Sequence, residues 1–354
     1  MSEPTTNYYF NLHKISNEQE IERLKRFENV NGILKQNDWL FISPIFFQGY
    51  ELSAISKLKP NDQASKSKIL RIVSKKFYDL RFTASFVEGY CVRCTYIKPF
   101  SKSVESSIIY AFQRDYEGSI KTIIPIIEGI IRKYLITEKG FSTETIRMKD
   151  IKNSFKILKN DLISNYVENL KYSKSENNEL LNFKENQIEE LSKQQKEYYE
   201  IWFSFVDDFV NKSFYLNTSR QPLTNEINRH SILHEFGLSF NYNLENYIKI
   251  YFLLQFMTWA FLRKENQSTL NEISNYRYFE KITAYEKLIE LSKNTLYEKH
   301  KILQNYDDYD ENILKENFIK NKNYELSQKN IIIHKIITKI DKLFWKTNIK
   351  KQNR

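Results

Sequence analysis

Histidine is scarce in this chain: five occur in 354 residues, at His13, His230, His234, His300 and His334. Two of them lie four apart, and Arg229 directly precedes the first, in Asn228-Arg229-His230-Ser231-Ile232-Leu233-His234. Arginine supplies a permanent cation with a rigid fork of donors, and histidine exchanges protons near neutral pH. Together they hold what cleavage of a phosphodiester needs when no metal takes part: a clamp for the crowded phosphate and a general acid or base. Asn228, with Pro222 upstream, sets this stretch just inside a helix start.

The spacing limits how the group can act. His230 and His234 share a helix face, whereas Arg229 and His234, five apart, point about 140° from one another. One copy of the helix is therefore a poor site unless the arginine side chain swings round from the first turn. Two copies about a two-fold axis would bring two arginines and two histidines into one cleft. The alternative is a surface arginine beside two locally bonded histidines. Zinc held by His230 and His234 ranks lower: Glu235 does not follow the first histidine as a zincin helix requires, and no third histidine is near in sequence.

The elements that must carry these residues read as helices. Seven glycines and six prolines leave little material for hairpins, and long stretches contain neither. Ser16-Asn17-Glu18-Gln19 reads as a capping box opening a helix over 16–36. Residues 39–50 form the one stretch of extended character, and a lysine-rich break at 57–67 precedes a helical pattern to about 97. A long helix is expected over 102–136, with Ile120, Ile123, Ile124, Ile127 and Ile131 as a buried stripe and Pro125 as a kink. Further helices follow at about 143–173 and from 178, the latter ending in a seam of Tyr198, Trp202, Phe205 and Phe209. The motif helix spans about 225–236 with Gly237 as its stop, Asn243 caps a helix over 244–264, and 268–300 and 311–347 hold the rest. The fold class is thus all-α, with a helical extension at 1–100, a bundle at 101–265 and a second extension at 266–354.

With those elements in place, Asn228-Arg229-His230-Ser231-Ile232-Leu233-His234 resembles the signature of the HEPN superfamily: an arginine, a polar residue, three more residues and a histidine, at the start of a late helix. The upstream segment from Tyr116 to Ile120, and from Ile126 to Arg132, is similar to the first long helix of bacterial members. The resemblance covers roughly 101–265. It implies a four-to-five-helix HEPN-like bundle and a dimeric, metal-independent endoribonuclease without a cofactor, often a toxin or an abortive-infection effector against phage. Arg229 and His234 would be the catalytic pair, His230 the intervening polar position, and Asn228 a supporting neighbour. Cleavage would leave 2′,3′-cyclic phosphate and 5′-hydroxyl ends. Glu235 departs from the pattern, standing where close members carry glycine. A carboxylate there would raise the pKa of His234 or narrow the cleft, and it favours the alternative of a non-catalytic HEPN module that binds RNA or protein.

Glu128 is the other charged residue to place. It lies on the isoleucine stripe, so its carboxylate should face inward and requires a partner. Arg229, a histidine of the motif helix, or an unrelated structural lysine or arginine would each serve. Cys91-Val92-Arg93-Cys94 is a lone CxxC, which cannot complete a zinc site by itself and reads as two cysteines in a buried helix.

The net charge of +10 leans toward a polyanionic partner; the resemblance implies that it is RNA, and implies a homodimer and a regulatory protein or antitoxin as further partners. Residues 331–354 concentrate it, with seven Lys/Arg against Asp341 alone. That tail is either an RNA-contacting arm or a solubilising one. The run from Tyr251 to Leu262 is too short to cross a bilayer, and no leader pattern opens the chain. Cytoplasmic location without disulfides is the expectation. No glycine-rich phosphate loop, Gly-x-Ser-x-Gly elbow or dinucleotide fingerprint is present.

Overall fold

The computed structural model describes residues 3–40, 47, 49–174, 180–215, 229, 242–266 and 276–303. These are helical almost throughout and contain no β-strand, which agrees with an all-α class. The first part of the chain holds α1 (Glu3–Lys25), α2 (Glu28–Gln36), α3 (Gly49–Ile55), α4 (Gln63–Phe77) and α5 (Leu80–Ser85). A π-helical turn (Phe86–Cys91) and a 3-10 turn (Lys98–Phe100) follow. The second part holds α6 (Ser101–Phe112), α7 (Tyr116–Lys139), α8 (Met148–Lys171), α9 (Glu185–Asp208), a π-helical turn (Phe209–Phe214), α10 (Leu244–Lys264) and α11 (Tyr276–Leu303).

Two expected boundaries are corrected. The single helix over 102–136 is in fact a hairpin of α6 and α7. Arg114 adopts a left-handed conformation (φ 63°) that α-helical backbone cannot continue. Asp115 then starts α7 as its cap, its carboxylate accepting from Gly118 N–H at 2.8 Å. A Cβ on residue 118 would collide with that carboxylate, so glycine makes the room. At the other end α7 stops at Gly140 (φ 65°), a left-handed cap. The capping box at Ser16 does not open a helix, because α1 begins at Glu3 and runs straight through it, breaking only at residues 26–27. Packing along α9 overrides the local signal: Asn17 accepts from Gln195 Nε2 at 2.6 Å and donates to the Tyr166 hydroxyl at 3.0 Å.

Other expectations hold. Asn243 caps α10 through Asn246 N–H at 2.9 Å. Tyr198, Trp202, Phe205 and Phe209 are all buried. Apart from these, Pro125, expected as a kink, lies inside α7 on its exposed side. The extended reading of 39–50 lies largely outside the described residues, as do the motif helix other than Arg229 and the segment 311–347.

α10 is the axle of the fold, buried on nearly every side and packed on α7, α8, α4 and the first π-helical turn. Aromatic rings fill the spaces around it. Trp202 and Phe203 of α9 meet Phe256 at 5.0 and 5.2 Å, and Phe77 of α4 meets Tyr247 and Tyr251 at 5.4 and 5.5 Å. α7 lies against α10, α6 and α8, with its isoleucine stripe buried. No helix of the described residues is long and apolar enough to cross a membrane.

Because α7 carries the inward-facing Glu128, its first turn matters. Asp115→Ala removes the cap and should lower unfolding free energy by about 1 kcal/mol in urea denaturation, while Asp115→Asn should stay close to wild type. Equal loss in both variants would contradict the capping role.

Candidate functional site

The described part of the motif is Arg229, and its guanidinium lies on Glu128 of α7. Two donors meet two acceptors: Nε–H bonds Glu128 Oε1, and Nη2 bonds Glu128 Oε2 at 3.0 Å. Both side chains are largely withdrawn from water, at 18% and 11% relative exposure. Of the three partners open to Glu128 on sequence grounds, the structure shows the arginine. Helical periodicity explains why the carboxylate is there at all. Glu128 occupies an inward position among Ile124, Ile127 and Ile131, so it is buried with them and requires a counter-charge.

This arrangement determines what Arg229 can still offer. A guanidinium has five N–H donors, of which the carboxylate takes one from Nε and one from Nη2. The two on Nη1 and the second on Nη2 point along the remaining edges of a plane whose orientation the pair fixes. The fork is therefore preorganised, and among the described residues its charge is offset on one side only.

Two further residues surround the pair that spacing did not single out. Arg132 lies one turn beyond Glu128 on α7, and its Nη1 donates to the Ile146 carbonyl at 3.3 Å. The i, i+4 relation to Glu128 was the available signal. Tyr215 ends the π-helical turn after α9 and is buried, with no hydrogen-bond partner for its hydroxyl among the described residues. Burial pushes its phenol up, and the nearby negative charge of Glu128 pushes it further, opposed by Arg229 and Arg132. The phenol thus stays neutral, a donor beside two guanidinium groups and one carboxylate. No local pattern announces it, because α9 and its turn deliver it from elsewhere in the chain.

Asn228, His230, His234 and Glu235 lie outside the described residues. Arg229 itself is helical, in keeping with the expected element.

Cys91 and Cys94 are both free and fully buried, as expected, but only Cys91 is helical: the π-helical turn ends there and Cys94 lies beyond it. Burial pushes both thiols up, Cys94 to about 12, which keeps them protonated and poorly nucleophilic. Among the described residues no three His, Cys, Asp or Glu side chains gather closely enough to hold a metal ion.

Breaking the pair from one side should be costly. Glu128→Ala leaves a largely buried guanidinium uncompensated and should reduce unfolding free energy by about 3 kcal/mol in urea denaturation. Replacing both partners, Glu128→Leu with Arg229→Met, should recover most of that loss. A double variant as unstable as Glu128→Ala would show that the missing counter-charge is not the cause. Set against protein-family models, curated proteins and solved structures, the chain matches none of them.

Proposed function

We propose that this chain is a metal-independent endoribonuclease of the HEPN type, acting inside the cell in phage defence or as a toxin. The observation that carries the reading is the two-point Glu128–Arg229 pair, which orients a guanidinium on a buried helix and leaves three of its donors for a substrate. Charge that builds on a pentacoordinate phosphorus is best met by donors already in position, because nothing then has to reorganise as the reaction proceeds.

In this reading Arg229 holds the non-bridging phosphate oxygens. The ribose 2′-oxygen attacks phosphorus, the bond to the 5′-oxygen breaks, and the electron pair leaves with that oxygen. His234 takes the proton from the 2′-hydroxyl or delivers one to the departing oxygen. The products are a 2′,3′-cyclic phosphate and a 5′-hydroxyl. His230 and Asn228 support the pair, and the neutral Tyr215 hydroxyl stands near Arg229 and Arg132. A homodimer would complete the site by placing the Arg229 of each copy with the His234 of both. The bundle at 101–265 carries this chemistry. The flanking segments, with the basic tail at 331–354, serve RNA contact and control by a regulatory protein or antitoxin.

One observation favours a second reading. Glu128 offsets the charge of Arg229, so the arginine could serve packing alone in a non-catalytic module that binds RNA or protein.

RNA cleavage separates the two. Arg229→Ala and His234→Ala should each reduce cleavage by roughly 10²–10⁴-fold. Arg229→Lys should lose nearly as much, because a single ammonium cannot bond Glu128 at two points and reach a phosphate as well. Wild-type cleavage should persist in EDTA. Cleavage that survives loss of both Arg229 and His234 would refute the ribonuclease.

A further inference from the structure

α4, an element that carries neither Glu128 nor Arg229, concentrates positive charge. Its fifteen residues include Lys66, Lys68, Arg71, Lys75 and Lys76 and no acid. Lys66 is tied to Asp38 at 2.6 Å and Lys76 to Glu51 at 2.7 Å. Lys68, Arg71 and Lys75 lie along another face, at i, i+3 and i+7, a run of about 10 Å along the axis, and Arg71 has a partner of its own. Lys68 and Arg71 are exposed and Lys75 is half-buried.

These three line one wall of an open cleft of about 490 Å³ between α3 and α4. The opposite wall presents Tyr50, which is 64% exposed, a high value for so large a ring. Its hydroxyl donates to Glu51 at 3.4 Å. Glu51 is the one carboxylate among the lining residues, and it is buried and bonded to Lys76, so the cleft remains cationic.

A cationic track beside an accessible aromatic ring is the chemistry of single-stranded nucleic acid binding: phosphates follow the charges and a base stacks on the ring. A membrane surface fits less well. The exposed positions on this face of α4 are Ala64, Ser67, Lys68 and Arg71, without the apolar side chains that an interfacial helix inserts. We infer that the α3–α4 cleft is an RNA-backbone site, in which Lys68, Arg71 and Lys75 take successive phosphates and Tyr50 stacks a base. This rests on RNA being the substrate, and adds a second contact on elements other than α7 that would hold the strand while another stretch of it is cut.

The test uses the full chain and a fluorescent oligouridylate of about twelve nucleotides with 2′-O-methyl groups, which lacks the attacking hydroxyl and cannot be cleaved. Anisotropy is followed across a salt series. Lys68→Ala/Arg71→Ala/Lys75→Ala should weaken binding at least about tenfold and flatten the plot of log affinity against log salt by about 2, three phosphate contacts at roughly 0.7 each. Tyr50→Ala should weaken binding by about tenfold, with Tyr50→Phe retaining it. All four side chains reach solvent, and unchanged thermal midpoints verify folding. An unaltered slope in the triple variant overturns the inference, as does a wild type that leaves the oligomer unbound. A triple variant that keeps RNA and loses only phosphatidylserine vesicles overturns it too. Failure of the ribonuclease reading would show separately, as unmodified RNA left intact by the wild type.

Discussion

A carboxylate on the buried face of a helix must be neutralised or matched, and in this protein it is matched. Glu128 interrupts a stripe of isoleucines on α7, where an uncompensated charge would cost several kcal/mol. The counter-charge comes from Arg229, far along the chain, and arrives as a two-point pair. That requirement brings the arginine of the motif to the side of α7. It also imposes order on α7 itself, whose ends are fixed by Asp115 at the start and Gly140 at the stop. A bidentate pair tolerates little sliding or rotation of the helix that carries it.

The surrounding elements are tied to this centre by buried or half-buried cations held in similar ways. Lys281 of α11 reaches both Glu88, at 3.0 Å, and Glu105, and the Tyr285 hydroxyl donates to Glu105 at 3.2 Å. That cluster joins α11 to α6 and the first π-helical turn. Arg263, at the end of α10, lies over Tyr198 and Trp202 of α9 at 5.1 and 5.7 Å and meets Glu20 of α1 at 3.3 Å. Lys264 beside it bonds Glu138 of α7 at 2.8 Å, and the Tyr96 hydroxyl donates to the same carboxylate. Arg263 and Lys264 each meet both a carboxylate and an aromatic ring, a combination that suits a core with many rings and few glycines.

Much of this was legible in the sequence where one physical rule acts alone. Asn243 is a cap because its side chain bonds its own helix start, and the seam from Tyr198 to Phe209 is buried because its spacing is that of a helix face. The inward orientation of Glu128 followed from the same periodicity. What periodicity could not supply was the break between α6 and α7. It depends on one left-handed residue, Arg114, of a type that carries no preference for that conformation, in a stretch where apolar spacing continues on both sides. The false start at Ser16 has the opposite origin: a good local capping pattern was overridden by tertiary hydrogen bonds from Asn17 to α8 and α9. Tyr215 was beyond reach because its relation to Glu128 and Arg229 exists only in three dimensions.

The central claim is that Glu128 holds Arg229 by one edge so that the other edge can meet a phosphate. Nitrogen-15 spectra of the arginine side chains test it most directly, with Arg229 assigned by its loss in Arg229→Lys. A bonded and largely buried Nε–H should exchange slowly with water and stay in place when uncleavable 2′-O-methyl RNA is added, while the Nη resonances of the same residue shift. An Arg229 Nε–H that exchanges as fast as an exposed arginine, or Nη resonances that do not respond to saturating RNA, would contradict the account.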